Sequence, residues 1–227
     1  MAITHRLIAG AIALAMLTGC GESQERLRET ISPFADRLQG NNEPSRFEAT
    51  RQQLADAGIS QPLLRVVARA PVEQSAGYLA AGTANGVLFY TANDGSSVLL
   101  ADTGVLRGTV GFLADLEAAE TRQTARALAA GEGRYTRVLR HRRGEGSLFE
   151  TRVACTLTRI GQERIVILGR AHDTTRHVEA CASDGLDPAG RQVSFSNMYW
   201  IEDGRVRASE QWVDFETGVL RIEQVLP

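Results

Sequence analysis

Apolar and polar residues begin to alternate with a period of two after Pro62, and short runs of this kind recur to the C-terminus. The first cover 64–68, 87–91, 98–102 and 105–110. Asn93-Asp94-Gly95 and Asp102-Thr103-Gly104 separate them, and both are turn chemistry containing a residue tolerant of positive φ. Further strands are predicted over 135–142, 148–158, 164–168, 176–182, 193–201, 206–213 and 219–225. Gly144, Gly146, Gly161, Gly185, Gly204 and Gly218 punctuate this series. Short strands with frequent turn signals predict a mainly β fold, an antiparallel sandwich or barrel-like sheet. Two or three helices interrupt it. One is expected over 113–130, where Ala, Leu, Glu and Arg dominate, Leu113, Leu116 and Leu128 form the buried positions, and Gly131 ends the run. Another lies in the N-terminal region, opened by Ser45 as N-cap with Glu48 at N3 and stopped by Gly58.

The C-terminal hairpin can be read in register. Asp203-Gly204 is the strongest short-range hairpin signal in the chain. A two-residue turn there opposes Glu202 to Arg205, and then pairs Ile201 with Val206, Tyr199 with Ala208, Asn197 with Glu210 and Phe195 with Trp212. Six of these last eight residues are apolar, as a core-facing surface requires. The other face pairs Trp200 with Arg207, a candidate cation–π contact, Met198 with Ser209, and Ser196 with Gln211. Asn197 opposite Glu210 is the polar anomaly among the aromatics. Two readings apply: a hydrogen-bonded pair that fixes register, or a buried glutamate with a raised pKa lining a pocket. Asn197, Tyr199, Trp200, Arg207, Glu210, Gln211 and Trp212 are therefore the candidate binding residues.

The first twenty residues are an address. His5 and Arg6 precede an apolar core of about 11 residues, too short for a membrane-spanning helix and right for a secretion signal. Leu17-Thr18-Gly19-Cys20 has the Leu, small, small, Cys order of a bacterial lipobox. In that pathway the Cys20 thiol takes a diacylglycerol, the signal is cut before it, and the new amino group is acylated by a further chain such as palmitate. Several acyl chains anchor stably where one is marginal. The organisation is then a signal peptide over 1–19, a lipidated tether over 20–30 and a single mainly β domain over 31–227. Gly21 is not the aspartate that retains enteric lipoproteins at the inner membrane, which favours the inner leaflet of the outer membrane, facing the periplasm. Lipidation also resolves an odd cysteine count: of three cysteines, Cys155 and Cys181 remain, and an oxidising periplasm joins them. Zinc is the rival, with His172 and His177 between them, but the spacing fits no standard finger.

Composition narrows the function. The chain of 227 residues is 43% hydrophobic and 23% charged, which excludes wholesale disorder. A formal net charge of −2 argues against nucleic acid as a partner. No nucleophile elbow, zincin, P-loop or dinucleotide motif is present, so no catalytic residue, metal or cofactor is assigned. His172-Asp173 and His177-Glu179 make the best acid–base cluster, expected in a solvated loop. Arg137 to Arg143 reads as a basic strand, with Arg137, Leu139, His141 and Arg143 on one face and Val138, Arg140 and Arg142 on the other. It either binds anionic glycan or lipid headgroups, or is a solvated strand end balanced by glutamates.

Phe195-Ser196-Asn197-Met198-Tyr199-Trp200, Asp203-Gly204, Ser209-Glu210-Gln211-Trp212 and Gly218 together resemble the YjbF/GfcB family of bacterial lipoproteins. So does the earlier Gly104-Val105-Leu106, Thr109-Val110-Gly111 and Asp115-Leu116 segment. The resemblance covers about residues 63–227. That family is associated with group 4 capsule and exopolysaccharide operons. The resemblance implies a non-enzymatic, membrane-anchored accessory or assembly factor, whose partners are other envelope proteins and the polysaccharide itself. It brings no catalytic residues. The alternatives are a secreted carbohydrate-active enzyme and an envelope ligand carrier unrelated to polysaccharide.

Overall fold

Twelve antiparallel strands form one sheet in the computed structural model, which describes residues 46–69, 73–142 and 146–227. They are β1 (Leu63–Ala68), β2 (Gln74–Ala84), β3 (Val87–Thr91), β4 (Ser97–Ala101), β5 (Leu106–Val110), β6 (Leu116–Ala119), β7 (Gly133–Arg142), β8 (Leu148–Ile167), β9 (Arg170–Leu186), β10 (Gln192–Glu202), β11 (Arg205–Asp214) and β12 (Gly218–Leu226). Two helices accompany them, α1 (Arg51–Asp56) and α2 (Arg122–Ala130). The spatial order runs β5-β4-β3-β2-β1-β12-β11-β10-β9-β8-β7-β6, so each strand neighbours its sequence neighbour except where β1 meets β12. That one long-range pairing curls the meander into a nearly closed barrel. The two outermost strands then meet: Leu116 N–H donates to Thr109 Oγ1 at 2.9 Å. A Cβ on Gly108 would stand 3.1 Å from Leu116 O, so the seam closes this tightly because position 108 has no side chain.

Alternation sorts the side chains into an interior and an outer face. Leu64, Val66, Tyr78, Tyr90, Val98, Leu100, Leu139, Val153, Leu220 and Ile222 fill the interior. One end of the barrel is sealed by α2, whose Ala127 and Leu128 pack on Val105, Leu157, Tyr199 and Val206. A second apolar cluster lies outside the wall, where Leu54 of α1 meets Leu63, Trp200, Ala208 and Val225 beneath Ile165 and Ile167 of the long β8–β9 hairpin.

Several expectations need correction. The helix over 113–130 is shorter: Leu116–Ala119 is strand β6, and the helix starts at Arg122. Asp115 accepts from Thr109 Oγ1, Gly111 N–H and Phe112 N–H, folding 111–115 into a tight turn that delivers β6 to β7. Sheet closure thus overrides helix propensity. Leu116 and Leu128 are buried as expected, but Leu113 is 65% exposed on that turn. The N-terminal helix is capped not by Ser45, which lies outside the described residues, but by Thr50, in a capping box with Gln53. Just before it, Phe47 N–H is held by Ser75 Oγ at 2.8 Å. Strand β2 was not expected at all, since Ala and Gly mask its period. The polar stretch holding His172, Asp173, His177 and Glu179 is not a loop: β8 and β9 pair continuously from Ala154↔Ala182 to Ile167↔Arg170, apart from a bulge at Arg159/Gly161.

The C-terminal hairpin turns where expected, with Asp203 (φ 51°) and Gly204 (φ 74°) both in the left-handed region. Glu202↔Arg205 and Ile201↔Val206 hold. A bulge then shifts the register by one, pairing Trp200 with Ala208, Tyr199 with Ser209 and Met198 with Glu210. One slipped residue exchanges the faces of β11. Ser209 and Gln211 join Tyr199 and Asn197 inside, while Ala208 and Glu210 turn outward.

Candidate functional site

The interior is not wholly apolar. Glu179 of β9 is fully buried, and five donors converge on its carboxylate. Oε1 accepts from Tyr135 OH at 2.6 Å and Thr124 Oγ1 at 3.1 Å. Oε2 accepts from Asn197 Nδ2 at 2.6 Å, Arg137 Nη1 at 2.8 Å and Tyr199 OH at 3.0 Å. The donors come from α2, β7 and β10, so one carboxylate ties the sealing helix to the neighbouring β10 and, across β8, to β7. Burial opposes ionisation of Glu179. The guanidinium of Arg137, itself 3% exposed, and the hydroxyl and amide donors outweigh it, holding the carboxyl below its ordinary pKa. Burial, reinforced by the Glu179 charge, raises the Tyr199 and Tyr135 phenols, so both stay protonated donors.

A second polar group continues from the first. Tyr199 OH stands 3.3 Å from Gln211 Oε1, although its single proton goes to the charged Glu179. Gln211 Oε1 accepts Leu106 N–H at 2.7 Å, and its Nε2 donates to Gly104 O and Ser209 Oγ. The β4–β5 turn is thereby fastened across the barrel to β11. A carboxylate has about four lone-pair sites. With five donors on it and no exposure, Glu179 has nothing left to offer as a base, nucleophile or ligand.

The seven candidate residues of the hairpin do not form one site. Asn197, Tyr199 and Gln211 enter the buried network. Trp200 faces outward into the second apolar cluster, with Arg221 rather than Arg207 over its ring, 5.1 Å from the centroid. Arg207 instead pairs with Glu202 at 2.9 Å. Asn197 and Glu210 do not meet, because the bulge places Glu210 on the outer face between Arg69 and Arg221, at 3.1 and 3.0 Å. Asn197 bonds Glu179 through its amide and takes Trp212 N–H on its oxygen at 2.7 Å. Trp212 does meet Phe195, stacked at 4.6 Å, at the opposite end from α2, with His141 5.7 Å away.

Arg137, Tyr135 and Thr124 were missed as members of a site. One signal was available: alternation set Arg137 on the same face as Leu139 and His141, and an arginine on a core face needs a buried acid. Arg140 and Arg142, on the strand's other face, are outside, where Arg140 pairs with Glu150 and Arg142 with Glu117. Arg143 lies outside the described residues. His172 and His177 serve no common centre: His172 Nδ1 is 3.0 Å from Glu202, and burial lowers the pKa of His177. Cys155 and Cys181 sit directly opposite each other on β8 and β9 and are joined as a disulfide. Their sulfurs and Glu179 lie within 4.8 Å of one another. A disulfide offers no thiolate and the carboxylate is saturated, so the trio does not fit a metal. Cys20 lies outside the described residues.

A family model described as group 4 capsule polysaccharide lipoprotein GfcB, YjbF, matches residues 30–225. The fold is shared with the hypothetical lipoprotein YmcC from Escherichia coli K12, at a TM-score of 0.66 and 16% identity, covering 87% of this chain and 95% of that one. A putative exported protein with a YmcC-like fold from Bacteroides fragilis matches with a TM-score of 0.32 and 10% identity, over 73% of this chain and 93% of that one. A putative lipoprotein from Parabacteroides distasonis gives a TM-score of 0.33 at 8% identity, over 74% and 95%. No curated protein matches in sequence.

Proposed function

Because the chain belongs to the YjbF family of group 4 capsule polysaccharide lipoproteins, we propose that it serves capsule or exopolysaccharide production from the cell envelope. It acts as a non-catalytic accessory or assembly factor, anchored through Cys20 in the inner leaflet of the outer membrane and facing the periplasm. Its partners are other envelope proteins of the same export system. The match over residues 30–225 carries the capsule part of this reading. The state of Glu179 supports the non-catalytic part. The most chemically loaded cluster of the barrel aims five donors at one sealed carboxylate, which is how a structural network is built and not how a turnover site is.

The test is secreted plus surface-bound polysaccharide in a deletion strain, complemented with the wild-type chain or with Cys20→Ala. Loss of polymer rescued only by the acylated form is the expected result. Unchanged polymer, under conditions where the strain makes it, overturns the assignment. Release of sugar from the polymer by purified protein overturns its non-catalytic part.

A further inference from the structure

Seven large apolar side chains are exposed among the described residues, and five of them gather at one end of the barrel. Val110 ends β5, Leu113 lies in the β5–β6 turn, Leu148 opens β8, Leu186 ends β9 and Phe215 lies between β11 and β12. Antiparallel strands alternate in direction, so these positions share one end, while α2 and the 203–204 turn belong to the other. Single exposed apolar residues are ordinary; five on one rim, from five different strand ends and turns, are not.

Hydrogen bonds and ring contacts join the rim into one surface. Ala114 N–H donates to Thr217 Oγ1 at 2.9 Å, and that hydroxyl donates back to Ala114 O at 2.7 Å, so the turn of Leu113 is fastened to the turn of Phe215. The Arg191 guanidinium lies 4.1 Å over the Phe215 ring, with Trp212 edge-on behind it at 5.6 Å. Asp187 N–H bonds Arg191 O, which brings Leu186 alongside. Arg191 Nε and Nη2 also donate to the Asp187 carboxylate at 3.1 and 2.9 Å, so the aromatic tip is backed by a neutralised ion pair, and its ring suits the boundary where acyl chains meet headgroups.

The polypeptide enters at the same end. Phe47 N–H is held by Ser75 at the start of β2, and a Cβ on Gly77 would stand 2.7 Å from the Phe47 ring, so Phe47 lies tight against the wall there. Arg46 therefore begins beside the rim, 26 residues after Cys20, a span of at most about 90 Å. Such a tether permits contact with the membrane without enforcing it, and the rim's chemistry decides.

We infer that this rim rests in the headgroup–acyl boundary of the membrane that holds the Cys20 anchor. The inference rests on the lipoprotein reading above. Contact is peripheral, because the barrel wall carries the pairs Arg65–Glu223, Arg221–Glu210 and Arg140–Glu150 where a spanning barrel needs an apolar band.

The test uses the full acylated chain in vesicles of phosphatidylethanolamine with a minority of phosphatidylglycerol. An environment-sensitive fluorophore is placed at Leu113→Cys, at Phe215→Cys, or at Val166→Cys, an equally exposed apolar position on the β8–β9 hairpin away from the rim. The expected result is a blue shift, and loss of fluorescence to a lipid-borne quencher, at positions 113 and 215 but not at 166. No quenching at the rim overturns the inference, and so does quenching at all three positions. A rim that stays in water while the protein self-associates assigns the surface to a second copy, which also overturns it. Mass spectrometry of Cys20 on the same preparation reports the anchor separately. If no acyl chain is found, the lipoprotein reading fails by itself, and the rim is judged with the chain held to chelating lipid by an N-terminal histidine tag.

Discussion

Glu179 and Glu210 occupy the two faces of one stretch of sheet, and each meets arginine at about the same distance. Inside, Glu179 and Arg137 are 2.8 Å apart with side chains 0% and 3% exposed. Outside, Glu210 bonds Arg221 at 3.0 Å and Arg69 at 3.1 Å, with Arg69 half exposed. Similar geometry, different consequence. Water can replace either outer partner, whereas nothing can replace Glu179 beside the sealed Arg137. A buried ion pair adds little over a well-packed apolar pair, but half of one is expensive. The interior pair is better understood as a device for uniqueness: its five donors admit one register of β9 against β10 and one seating of α2.

The largest effect follows directly. Glu179→Ala strands the Arg137 cation in the core and is expected to cost about 3–5 kcal/mol in urea unfolding. Glu179→Leu combined with Arg137→Met removes both charges and is expected to recover part of that loss, the rest staying with the Tyr135, Tyr199, Asn197 and Thr124 donors that lose their acceptor. If the double variant is no better than the single one, the pair is not the unit of stability. Acid sharpens the same comparison. The folded-state pKa of Glu179 lies below its ordinary 4.5, so the unfolded chain takes up the proton first. Stability from this group is complete above pH 4.5 and falls as pH drops through that value toward the folded pKa. The acid-induced loss is expected to shrink in the Glu179→Leu/Arg137→Met variant. An unchanged acid profile would assign it to other carboxylates.

Beside this network stands the disulfide of Cys155 and Cys181, 26 residues apart in sequence. Replacing both by serine is expected to cost about 3–4 kcal/mol through loop entropy restored to the unfolded chain. Thermal unfolding with and without reductant checks it. Gln211→Leu ranks next. It orphans Leu106 N–H and Gly104 O in the barrel, at an expected cost of about 1–3 kcal/mol. Amide exchange at Leu106 distinguishes this local loss from global unfolding.

Much of this arrangement was legible in the sequence, and the remainder failed for physical reasons. Turn residues and period-two runs located most strands, and the Asp203-Gly204 turn was placed correctly. The hairpin register failed two residues beyond that turn. A bulge inserts one residue into a strand without any required change of composition, and neither Arg207 nor Ala208 advertises one. Asn197 was singled out as the polar anomaly of its face, yet given the wrong acid. Its partner, Glu179, sits on another strand, and only sheet order could bring it there. Helix propensity misled at Leu116–Ala119, where closing the sheet outweighs what an isolated segment prefers. The outer face of the barrel was the less legible one, since Trp200 over Arg221 depends on β12 lying beside β11.

The smallest effect is the one that completes the comparison. Glu210→Ala removes the acid between Arg69 and Arg221 on the outer face. Arg221 keeps Glu223 at 2.8 Å, and Arg69 is already solvated, so neither cation is stranded. The expected cost is about 1 kcal/mol or less, falling further with added salt. Asn197 is untouched, because its amide belongs to Glu179. A cost approaching that of Glu179→Ala would mean that the outer face is closed to water by something packed against it. The asymmetry between the two carboxylates would then describe the isolated barrel and not the protein in its assembly. Measured in the same urea series, with and without salt, the two glutamate variants report on both faces of one sheet, and only the inner one should be indifferent to ionic strength.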